Sequence, residues 1–88
     1  MNASERAAEI NAATVARAEA EGWVCYGLLV TDQSHWTAED VHTGDDLDAY
    51  LSYCDYVDAY KEAVGIKPRW LSWWERTAAE WQAALADI

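Results

Sequence analysis

Between Asp45 and Gly65, the residues Leu47, Tyr50, Leu51, Cys54, Val57 and Val64 recur at spacings of three, four and seven. An α-helix brings residues at those spacings onto one face. The ends of this helix are marked in the sequence. Asp45 suits the N-cap, acids fill the first turn, Lys61 lies in the last turn, and Gly65 closes it. Three residues on, Pro68 lacks an N–H and pushes Lys67 towards an extended conformation, so the helix cannot continue. An 88-residue chain built around such a helix is expected to be a single domain, residues 1–88. Its core is modest at this length.

The flanking stretches follow the same grammar. "SERAAEINAATVARAEAEG" is rich in strong helix formers and stops at Gly22. Its bulky apolar members are Ile10 and Val15 alone, so this helix has little to bury. After Pro68, "SWWERTAAEWQAALADI" returns to helix, with Ser72 and Glu75, or Thr77 and Glu80, as capping boxes. Trp74, Ala78, Trp81, Leu85 and Ile88 form one stripe, which predicts Trp74 and Trp81 in the interface of two helices joined at the Gly65/Pro68 corner. "GWVCYGLLVT" suits a buried strand, although periodicity alone does not separate it from a short buried helix. A lone strand needs a partner. The candidates are a pairing near Trp36 to His42, or the same strand of a second subunit, so a homodimer is expected. In "TDQSHWTAEDVHTGDD", Thr37 and Asp40 suggest one helical turn in a polar loop. The expected class is mainly α: three helices, with a short β-strand or hairpin near residues 23–42.

Charge is segregated. From Ala18 to Tyr60 there are ten acids and no Lys or Arg, while the other six acids and six bases cancel. The net charge of -10 therefore comes from the middle of the chain. Binding to nucleic acid through phosphates needs clustered bases, so direct nucleic-acid binding is not expected. Anionic membrane is disfavoured for the same reason. The field attracts a basic surface. On the central helix, Asp48, Asp55 and Glu62 recur every seven residues with Asp58 beside them, which predicts an acidic flank. Lys67 and Arg69 flank Pro68 beside Trp70, either anchoring the corner to acids of the preceding helix or serving as an interface anchor.

No catalytic residue, metal site or cofactor is expected. His35 and His42, near Asp32, Glu39 and Asp40, fit no standard ligand spacing, and "GDDLD" lacks the grammar of a calcium loop. Cys25 and Cys54 lack CxxC spacing and read as buried small hydrophobes. The four glycines are scattered, so no phosphate loop is present. No apolar run approaches the ~20 residues that span a bilayer, and the opening residues lack a signal-peptide pattern. A cytosolic location is expected.

The stretch "YVDAYKEAVGIKPRWLSW", from Tyr56 to Trp73, resembles a segment that recurs in small phage and prophage proteins. Tyr60, Lys61, Gly65, Ile66, Lys67, Pro68 and Arg69 carry the resemblance, which covers about a fifth of the chain. In size and acidity the chain is similar to phage inhibitors of host defence, of the anti-CRISPR and antirestriction type. The resemblance implies a non-enzymatic inhibitor in the host cytosol. Its partner would be the basic groove of a nucleic-acid-processing complex. The expected contact residues are Asp45, Asp46, Asp48, Asp55, Asp58, Glu62, Tyr56, Arg69 and Trp70. The alternative is a phage accessory or structural protein with a non-defence partner.

Overall fold

The structure, a computed structural model, describes residues 1–88 and contains no sheet. Four α-helices form: α1 (Ala3–Glu21), α2 (Gln33–Ala38), α3 (Gly44–Val64) and α4 (Ala78–Ala86), with a single 3-10 turn at Trp73–Glu75. The chain is mainly α as expected, with α2 as an additional short helix. No helix is long and apolar enough to cross a membrane. Two compact units result, Met1–Gly44 and Asp45–Ile88.

In the first unit, α1 starts with a reciprocal capping box. Asn2 Oδ1 accepts from Glu5 N at 2.8 Å, and Glu5 Oε1 accepts from Asn2 N at 2.9 Å. Gly22 ends the helix at φ 71°, in the left-handed region that glycine adopts without penalty. The buried residues of α1 are the small ones, Ala3, Ala7 and Ala18. Spaced by four and eleven, they share one face. Ile10 and Val15 are only half-buried. α2 packs against α1 and is capped by Asp32, whose Oδ1 accepts from Ser34 N at 3.0 Å. The turn expected to begin at Thr37 is instead the end of this helix, and Asp40 turns the chain at φ 59°. The chain start pairs with the end of the unit: His42 O accepts from Ala3 N, and Met1 O accepts from Gly44 N. Gly44 is tightly placed, since a Cβ there would lie 3.2 Å from Arg6 Cβ.

The expected strand does not form. Residues 24–32 have no regular secondary structure, and their anchoring groups are side chains rather than a second strand. Asn11 Oδ1 accepts from Leu29 N and Asn11 Nδ2 donates to Leu29 O, both at 2.8 Å. Trp36 Nε1 donates to Val30 O at 2.7 Å, and Ser4 Oγ donates to Thr31 O. Side chains of α1 and α2 thus satisfy the Leu29 N–H and the carbonyls of Leu29, Val30 and Thr31, the groups a ladder would otherwise pair. The apolar side chains before the anchor are left outside: Val24 is 100% exposed, and Trp23, Tyr26 and Leu28 are also exposed. Cys25 is exposed with them, contrary to the expectation of burial.

The second unit opens within α3. The helix begins at Gly44, so Asp45 and Asp46 occupy its first turn and Asp45 is not the N-cap. Gly65 closes α3 at φ 83°, its N–H donating to Lys61 O, and Pro68 after it is fully buried. Leu47, Ala49, Ser52 and Val57 of α3 are buried, whereas Val64 lies past the packed part and is exposed. Two caps follow each other: Glu75 Oε2 accepts from Ser72 N, and Thr77 with Glu80 forms a full capping box that starts α4. Trp81 is 0% exposed. It meets Tyr53 and Tyr56 with ring centroids at 5.2 and 5.4 Å. Trp74 is 66% exposed, so only Trp81 of the expected pair is packed. The α-helical stripe fails at Trp74 because this residue sits in the 3-10 turn, before the Thr77 cap resets the helix.

Candidate interaction surface

A continuous α3 fixes the directions of its acids at ~100° per residue. Asp48, Asp55, Asp58 and Glu62 fall within about 80° of arc on that basis. Asp55, Asp58 and Glu62 are exposed and Asp48 is half-buried. Asp48 and Asp55 are separated by ~10 Å along the axis, from a rise of ~1.5 Å per residue. The basic residue of α3 is Lys61, in its last turn.

On the same basis Asp45 lies beside Asp48, about 60° outside the flank, and Asp46 lies on the far side of the helix. With Asp48 they line a cleft of about 580 Å³, whose other walls are Trp73, Trp74, Glu75, Arg76 and the first turn of α4 from Thr77 to Glu80. The Trp73 and Trp74 rings stand edge to face, centroids 5.8 Å apart at 86°. The Glu80 carboxyl is held below its ordinary range by hydrogen bonds from the backbone and side chain of Thr77. The expected acids therefore divide into an open flank and a cleft, with Asp48 belonging to both. The cleft members Trp73, Trp74, Glu75, Arg76 and Glu80 were not among the expected contact residues. Their signal in the sequence was the pair of capping boxes, which draws Glu75 and Glu80 to adjacent helix starts.

Tyr56 sits half-buried in the aromatic cluster, against Trp81 and Tyr60 rather than beside the acids. Trp70 is 64% exposed, with its ring edge to face on Tyr60 at 5.9 Å. Arg69 is exposed near it, and no ion pair ties Arg69 or Lys67 to α3. The corner is held instead by packing and by Tyr53 Oη donating to Leu71 O at 3.3 Å.

No three His, Cys, Asp or Glu side chains converge as a metal site. Cys54 is half-buried, and burial together with the Asp58 and Asp55 carboxylates pushes its thiol up. A raised thiol is the reverse of what an activated nucleophile needs. Comparison with protein-family models, with curated proteins and with solved structures returned no match.

Proposed function

We propose that this chain acts by stoichiometric binding, as a non-enzymatic phage or prophage inhibitor of a host nucleic-acid-processing defence complex. The acidic flank of α3 occupies a basic groove in the host cytosol that would otherwise hold phosphates. One observation carries the reading: Asp48, Asp55, Asp58 and Glu62 repeat along one side of a single rigid helix. Their spacing is on the scale of a phosphate backbone, and a folded helix presents them without an ordering cost. The resemblance of Tyr56 to Trp73 to phage and prophage segments supports the provenance. The exposed stretch around Val24 to Val30 also supports self-association, against which the net charge of -10 acts.

Capture of the partner from a bacterial lysate identifies the target. Converting Asp55 and Asp58 to Asn and Glu62 to Gln then keeps shape and removes three charges of the flank that are not shared with the cleft. The expected result is an intact fold, a slower on-rate and a weaker dependence on salt, with DNA or RNA competing for the same partner surface. Unchanged, salt-independent binding by the triple variant rejects the reading.

A further inference from the structure

The cleft between the start of α3 and the start of α4 combines two features that the open flank lacks, concavity and exposed π faces. Five carboxylates line it (Asp45, Asp46, Asp48, Glu75 and Glu80) against one cation, Arg76. The Arg76 guanidinium already lies over Trp81, 5.0 Å from the ring centroid. Trp73 and Trp74 form a corner of two nearly perpendicular indoles, and Trp74 leaves most of its surface open. An indole face attracts a cation through its quadrupole, and the attraction grows as the cation leaves water.

We propose that this cleft receives a single arginine side chain presented by a partner protein. A planar guanidinium can lie flat on one indole while its edge N–H groups reach carboxylates at the rim, which a compact ammonium cannot do at once. Glu75 and Glu80 each accept one backbone hydrogen bond, at 3.3 and 3.0 Å, and an ionised carboxylate has further lone pairs to offer. A metal dication is a poorer occupant, because the acids are spread around the walls and no three converge. An anion at the start of α4 is opposed by the five carboxylates, and Glu80 N already donates to Thr77 Oγ1. The volume of about 580 Å³ leaves room for the alkyl stem as well as the head group. This proposal deepens the reading of the chain as a binder of basic surfaces, and rests on that reading for the nature of the partner.

The test uses the full chain and a small probe, so that it does not depend on the target. N-acetyl-arginine methylamide is titrated at constant ionic strength while the indole N–H signals are followed by NMR. The lysine and citrulline analogues are run in parallel, citrulline being the neutral isostere. The arginine probe is expected to shift the Trp73 and Trp74 signals saturably, with lysine weaker and citrulline without effect. Trp74→Leu should weaken arginine binding by about fivefold or more, the scale of one cation–π contact, and Trp23→Leu should not. No response to arginine, an equal response to citrulline, or undiminished binding in Trp74→Leu overturns the proposal. A failure here alongside salt-dependent capture through the α3 flank removes the cleft and leaves the wider reading standing. Arginine binding with an inert flank has the opposite meaning.

Discussion

Trp81 Nε1 donates a hydrogen bond of 2.9 Å to the carbonyl oxygen of Trp73, eight residues earlier. The bond joins α4 to the 3-10 turn across the Arg76 and Thr77 link. It also gives a fully buried indole the one partner its N–H requires. Around it, Tyr53, Tyr56 and Arg76 surround the same ring, and Gln82 Nε2 reaches Ser52 Oγ at 3.1 Å. The packing of α4 on α3 is therefore organised about one side chain.

Trp81→Ala should cost ~3 kcal/mol or more, as expected for a large buried aromatic. Trp81→Phe keeps much of the packing and removes the N–H donor, leaving Trp73 O without that partner, so about 1–2 kcal/mol is expected. Trp74→Ala, at an exposed ring, should stay within ~0.5 kcal/mol. Chemical denaturation of the three variants checks the ranking, and a Trp81→Ala loss below that of Trp74→Ala contradicts it.

Asn11 should matter out of proportion to its size. Asn11→Leu removes both partners of Leu29 at once, and about 2 kcal/mol of destabilisation is expected from two part-buried backbone groups. Amide exchange at Leu29 should accelerate in this variant while α4 amides keep their protection. Retained protection at Leu29 would show that another group holds that backbone.

The two cysteines should separate by reactivity. Cys25 is exposed, whereas Cys54 is half-buried with its thiol pushed up by burial and by Asp58 and Asp55. Since the thiolate is the reactive form, Cys54 needs a higher pH than an ordinary thiol to react. In Cys25→Ser, the pH profile of modification by a disulfide reagent should lie to the alkaline side of that for free cysteine. A profile at or below the free-cysteine position contradicts this.

The caps predict an acid limb of stability. Asp32 is held low by hydrogen bonds from the side chain and backbone of Ser34, and Glu80 by those from Thr77. A depressed folded-state value means that the stabilisation is present above the unfolded value and is lost as pH falls through the folded one. The melting temperature should therefore decline through the carboxylate range and below. Asp32→Asn with Glu80→Gln should flatten part of that decline. An unaltered slope in the double variant shows that other carboxylates carry it.

Local signals were legible in the sequence because their physics is local. The cap and stop signals of α3, its Gly65 included, and the Thr77/Glu80 box each involve residues within a few positions of one another, and each appears where expected, apart from the two-residue shift at Asp45. The stretch from Trp23 to Val30 has strand-like residues but forms no strand, because the groups that hold its end come from Asn11, 18 residues from Leu29, and from Ser4 and Trp36. A side-chain amide standing in for a strand leaves no periodic trace. Trp74 leaves the expected stripe because a single helical period does not continue across the Thr77 cap. The acidic flank follows from spacing alone, but the cleft needs the starts of α3 and α4 to be neighbours, which no run of residues announces.

The amide clasp between Asn11 and Leu29 has a consequence for the behaviour of the chain in concentrated solution. An extended apolar segment with bare N–H and C=O groups is a template on which other copies add strands, the usual route to insoluble aggregates. The side chains of Val24, Tyr26 and Leu28 would favour such growth. Asn11 occupies both hydrogen-bonding groups of Leu29. A strand that pairs along the edge to which Leu29 points meets a blocked rung there and must stop or break the clasp. The helix thus guards the segment it carries at Leu29, through a polar side chain set beside Ala7 and Ala18 on its packed face.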